Sequence, residues 1–189
     1  MVLPNALLFP NTMLPLYIFE LRYQAMLCYC LERSRMFCVA MMKPGVSEAV
    51  DDDDFYHVVG LGLIRACVGN TDGTSHLMLQ GLARVNLTNF IQHEPYRIAQ
   101  IKELPSSIAN AVEAEALSAK LLEICRERKE TNGDLQSLLN KQAGHATSPE
   151  IISDFVAQAY ISDPEQKQQI LEELSVTGRL RMLIQYLKA

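Results

Sequence analysis

The chain has 189 residues, a length that suits one domain or two tightly packed subdomains. Hydrophobic residues make up 49% and charged ones 21%, which excludes wholesale disorder, and no stretch reaches the roughly 18 uncharged apolar residues of a membrane span. The net charge of −5 hides no basic half: residues 1–104 carry 8 Lys and Arg against 10 Asp and Glu, and the remainder 9 against 12, so nucleic acid finds no electrostatic footing.

The opening ten residues lack a basic n-region and are broken by Pro4 and Pro10, which argues against a secretory signal. The five cysteines are an odd number in apolar surroundings, as expected of reduced thiols in a cytoplasmic protein. Up to Leu104 the pattern favours short strands, at 6–9, 35–42, 57–68, 75–82, 85–91 and 96–103. Six strands suggest a barrel or a rolled sheet. One helix is embedded among them, over 20–33, with Leu21, Ala25, Cys28 and Leu31 on the face expected to pack on the sheet. Gly69 to Gly73 supplies a hairpin loop, and Gly60, Gly62 and Gly81 inside strands predict bulges or sharp coiling. The run Asp51 to Asp54 reads as a solvated, mobile acidic loop, because the ligand spacing of a calcium loop is missing.

After Pro105 the period becomes helical. A long helix is expected over 108–128, with Leu117, Leu121, Ile124 and Cys125 on one stripe, followed by a polar connection. Three shorter helices then start at Ser148-Pro149, Asp163-Pro164 and Ser175, each with cap chemistry. Ile151, Ile152, Phe155, Val156, Ala159 and Tyr160 form one apolar stripe; Val176, Leu180, Leu183, Ile184 and Leu187 form another. A helical bundle buries both. The boundaries are therefore a β subdomain over 1–104 and an α-helical subdomain over 105–189, an α+β fold.

Catalytic constellations are missing. The sequence holds no phosphate loop, no dinucleotide fingerprint, no His-Glu-x-x-His and no nucleophile elbow. Cys28 and Cys30 are spaced so that on a helix their sulfurs point about 200° apart, which argues against a shared metal. His57, His76, His93 and His145 are scattered, and Ser148, near His145, already serves as a helix cap. No catalytic residue, metal site or cofactor is assigned.

The most specific signal is the stretch Leu3-Pro4-Asn5, Leu8-Phe9-Pro10 and Leu14-Pro15-Leu16-Tyr17-Ile18-Phe19-Glu20-Leu21-Arg22-Tyr23. It resembles the opening of the Lon protease amino-terminal, or substrate-binding, domain family. Gly60-Leu-Gly62, Asp72-Gly73-Thr74 and Gly81-Leu-Ala-Arg84 are similar to that family's central strands and hairpin, and 161–187 to its closing helical bundle. The resemblance implies a PUA-like rolled six-stranded sheet with an embedded helix, then a helical bundle. It also implies a stand-alone member without the ATPase and protease parts, hence no enzyme.

The motif has physical work of its own to do. Pro15 sets an extended chain, Leu16, Ile18 and Phe19 can anchor it, Glu20 opens the helix, and Arg22 is placed to pair with a nearby acid. Tyr17, Arg22 and Tyr23 are the candidate binding residues, since large amphipathic side chains recur at interfaces. The expected function is a non-catalytic polypeptide-binding module, whose partners are client proteins or a separate protease. The alternative is a small-ligand or RNA binder on a PUA-like barrel, which rests on fold analogy.

Overall fold

A computed structural model describes residues 1–127 and 148–188. They form two units, Met1–Leu104 and Pro105–Ala189. In the first, β1 (Val2–Leu3), β2 (Met13–Ile18), α1 (Leu21–Leu31), β3 (Met36–Met41), β4 (Val58–Gly69), β5 (Ser75–Gln92) and β6 (Ile98–Glu103) follow one another, with a 3-10 turn at Asp52–Asp54. The order across the sheet is β1-β3-β4-β5-β2, with β6 also on β5; β1 runs parallel to β3 and every other pair is antiparallel. At 18 residues, β5 is long enough to hold β2 near its start and β6 near its end. Among the described residues no ladder joins β6 to β1, so the sheet is mixed and stays open rather than closing as a barrel.

Several expectations need correction. Residues 6–9 are not a strand: Leu7, Leu8 and Phe9 are buried as an irregular segment whose carbonyls lie hard against the sheet. A Cβ on Gly60 would come within 1.9 Å of the Leu8 oxygen, and one on Gly81 within 1.9 Å of the Phe9 oxygen. These glycines mark a close backbone approach. Gly81 consequently does not separate two strands, and the segments expected at 75–82 and 85–91 are the single strand β5. The expected bulges are present, with register shifts at Leu61/Gly62 and Ile64/Ala66. β1 and β2 had no counterpart among the expected strands. β2 lies at one end of the sheet order, where Pro15 costs no central ladder bond.

In α1 the buried face is Tyr23, Met26, Leu27 and Cys30, while Leu21, Ala25 and Cys28 face outward. Of the stripe expected to pack, Leu31 alone does so, half-buried against the main core; Tyr23, Met26, Leu27 and Cys30 join Ile18, Phe37 and Leu79 there instead. Phe19, expected in that core, is 61% exposed. A second cluster, built on Ala40, Phe55, Val59, Val85 and Leu87, fills the other end of the sheet.

The second unit contains α2 (Ala111–Glu127), α3 (Pro149–Tyr160), α4 (Pro164–Glu172) and α5 (Val176–Lys188). α2 starts three residues later than expected because Asn110 caps it, accepting from the Glu113 N–H at 3.1 Å. Its buried seam is Ala114, Ser118, Leu121 and Cys125, with Leu117 and Ile124 only half-buried. Arg128, the polar connection and His145 lie outside the described residues. The other caps form as read: Ser148 accepts from Ile151, Asp163 from Glu165 and Gln166, and Ser175 from Gly178. α5 packs on α2, α3 and α4 and buries Val176, Leu180, Leu183 and Leu187. It also buries Arg179, whose guanidinium donates to Ser106 at 3.0 Å and lies 3.6 Å from Glu150 and 4.0 Å from Asp154.

Candidate functional site: a trough at the open seam of the sheet

Because β6 pairs only with β5 and β1 is two residues long, apolar side chains stand around the unpaired seam with no strand among the described residues to cover them. The result is a cleft of about 280 Å³. Met26 and Tyr29 of α1, Met36 and Cys38 of β3, Phe90 of β5 and Ile98 of β6 line it. Methionines and thiols make walls that adapt their shape. Burial pushes the Cys38 thiol up to about 11, so it stays protonated and apolar at neutral pH.

A more polar hollow of about 180 Å³ adjoins the cleft, sharing Met1, Val2, Met26, Tyr96 and Arg97 with it. Its own walls include Arg22, Tyr23, Glu48 and His93. Together the two make a trough with an apolar end and a polar end. Arg97 sits at their junction: Nη2 donates to the carbonyls of Ala49 at 3.1 Å and Val50 at 2.6 Å, and Nε to Asp52 at 3.3 Å. His93 Nε2 lies 3.1 Å from the other Asp52 oxygen, and His57 Nε2 lies 2.8 Å from the Asp52 carbonyl. Asp54 accepts from the N–H groups of Val50 and Asp51. The acidic run thus folds as a turn in which Asp52 is held by Arg97 and His93 and Asp54 by its own neighbours, while none of the four side chains is buried and Asp51 and Asp53 are exposed, as expected of a solvated run.

Two of the three candidate binding residues come together on the polar hollow. Arg22 pairs with Glu20 at 2.8 Å and lies 4.9 Å over the ring of Tyr23. Tyr23 is mostly buried; its hydroxyl donates to the Val2 carbonyl at 2.7 Å and accepts from the Val2 N–H at 3.2 Å. Tyr17 lies outside the trough, half-exposed on β2, stacked on Phe19 at 5.9 Å and against His76 at 4.7 Å. Sequence reasoning missed Arg97, Tyr96 and Phe90, whose place at the seam depends on β6 and β5 meeting α1. The one available signal was the pair of basic residues, His93 and Arg97, in a chain with four consecutive acids. Cys28 is exposed and Cys30 buried, on opposite sides of α1 as their spacing requires. Among the described residues no group of three or more His, Cys, Asp or Glu side chains is placed to hold a metal ion.

Comparison with known proteins follows the same lines. The Lon protease of Desulfosudis oleivorans is 28% identical over 190 residues, covering 99% of this chain and 23% of that protein. The Lon protease of Dictyoglomus thermophilum is 25% identical, covering 98% and 23%. This chain therefore spans about a quarter of the length of these relatives. Among solved structures, the N-terminal domain of the Mycobacterium avium complex Lon protease matches the whole chain with a TM-score of 0.76 at 18% identity, covering 96% of that structure. The Lon N-terminal domain protein from Xanthomonas campestris gives 0.68 at 20%, covering 98% of this chain and 96% of that one. The model of the ATP-dependent protease La (LON) substrate-binding domain matches residues 1–189, and the chain belongs to that family.

Proposed function

We propose that this chain is a non-catalytic module that binds polypeptides, taking apolar client segments into the trough at the seam. The observation that carries the reading is the adaptable apolar cleft beside a polar hollow, in a chain of a substrate-binding family. An extended segment buries an apolar side chain in the cleft while its backbone finds polar groups nearby. Arg22 serves the polar end, Tyr23 supports it from beneath, and the Tyr17–Phe19 stack offers a further apolar contact. The open sheet with its embedded helix is read as PUA-like, and 1–104 and 105–189 as two subdomains of one Lon amino-terminal-like domain. Partners in this reading are client proteins and a separate protease, in the cytoplasm.

The same reading assigns neither ATP hydrolysis nor peptide cleavage to the chain. The alternative, a small-ligand or RNA role, rests on fold analogy alone. The test fills the cleft. Ala99 lines it from β6, and Ala99→Trp is expected to weaken binding of a fluorescent, permanently unfolded client at least tenfold while leaving the far-UV circular dichroism spectrum native. Equal affinity of this variant and the parent chain sinks the proposal.

A further inference from the structure

We propose that Arg97 is a positioning residue that builds the rim of the trough by latching the turn at residues 49–52 beside the start of β6. This rests on the reading of the trough as a polypeptide site.

The geometry separates holding a turn from binding a ligand. Three contacts of the guanidinium go to the turn, namely the Ala49 and Val50 carbonyls and the Asp52 carboxylate. Its carbon lies 5.2 Å over the ring of Phe55, which is fully buried in the second core cluster. The side chain of Arg97 is only 17% exposed. Its charge is thus answered by Asp52, and its Nε and Nη2 donors are committed to the turn. What it does is place Glu48, Ala49 and Val50, which line the polar hollow together with Arg22 and Tyr23. Val50, 72% exposed, stands there as an apolar rim residue whose carbonyl is pinned from behind. His93 seconds the latch on the free oxygen of Asp52.

A planar fork is needed for this work. Guanidinium can reach two carbonyls and a carboxylate in fixed directions while stacking on a ring, whereas an ammonium is a single point of charge. Lysine at this position therefore keeps the charge and loses the latch. The acidic run supplies the turn's anchor, and Asp54 closes it by accepting from the Val50 and Asp51 amides.

The experiment combines amide hydrogen exchange with binding of reduced, carboxymethylated lactalbumin, on the full chain and on Arg97→Met, Arg97→Lys and Asp52→Asn. All three variants are expected to speed exchange of the Val50, Asp51 and Asp54 amides at least tenfold, leave the Val59 and Leu79 core amides unchanged, and weaken lactalbumin binding at least fivefold. Unchanged exchange in Arg97→Met overturns the latch. Faster exchange with unaltered binding overturns its role as a rim. Wild-type affinity in Arg97→Lys overturns it too, since charge alone then suffices. Should the parent chain bind no lactalbumin, the polypeptide reading fails separately, and the exchange arm still decides whether Arg97 latches the turn. Asp52→Asn guards against misfolding, because it weakens the same latch while keeping the buried Arg97 stem in place.

Discussion

Tyr23 completes a sheet edge that has no strand to complete it. β1 is so short that only Met1 and Leu3 turn their carbonyls toward β3, where the Ala40 and Met42 N–H groups meet them. The N–H and C=O of Val2 point the other way, and the Tyr23 hydroxyl satisfies both. Burial raises the Tyr23 pKa, so the phenol stays a donor as well as an acceptor. Tyr23→Phe should therefore cost about 1–3 kcal/mol, the range for leaving buried backbone groups unmatched, measured as a lower urea midpoint. Cys38 gives a pH signature across the trough. Its folded pKa is raised from 9.0 to about 11 by burial, so the protonated thiol favours the folded state. That contribution is full below pH 9 and lost as pH rises toward 11. The urea midpoint of the parent chain should fall more steeply over this window than that of Cys38→Ala; parallel curves refute the assignment. Tyr23 was legible as a noteworthy residue, and its role was not, because the partner is a backbone pair 21 residues away.

At the scale of elements, helix caps and glycines were the readable features. Caps are local, so Ser148, Asp163 and Ser175 could be placed from neighbours within three residues. Glycines in strands signalled bulges and crowding, but not what crowds them, since Leu8 and Phe9 lie some fifty and seventy positions away. Apolar periodicity misread α1, because Leu21, Ala25 and Cys28 satisfy the same spacing as the face that packs. Tertiary neighbours decided between two stripes that sequence alone could not rank. The crowding at Gly81 makes a sharp prediction. A methyl group there meets the Phe9 oxygen at 1.9 Å, with the Pro10 Cα at 3.2 Å, and backbone cannot swing aside as a side chain can. Gly81→Ala should destabilise by about 3 kcal/mol or more, by overpacking against main chain. Gly45→Ala is the comparison: its φ of 80° is unfavourable for alanine, but nothing lies within 4 Å, so the loss should be nearer 1 kcal/mol. Gly81 has no such positive φ, so a loss there no larger than at Gly45 would show that the Phe9 segment shifts to make room.

At the scale of the whole molecule, the trough and both apolar clusters draw every residue from the first unit. Among the described residues, none after Ile101 lines the cleft or the hollow, and none after Ala99 belongs to either cluster. The second unit has its own seam in α2, α3 and α5 and its own buried polar group around Arg179. A chain of about one hundred residues can bury enough surface to fold alone. Residues 1–104 expressed alone are thus expected to fold cooperatively in urea and to retain client affinity within about threefold of the full chain. Residues 105–189 are expected to bind no client. The two halves of the prediction fail differently. A fragment 1–104 that unfolds without a cooperative transition shows that the first unit needs the second for its stability. A folded fragment 1–104 that binds no client, with affinity present in the full chain, moves the binding surface away from the seam altogether, and with it the roles given to Arg22 and Arg97.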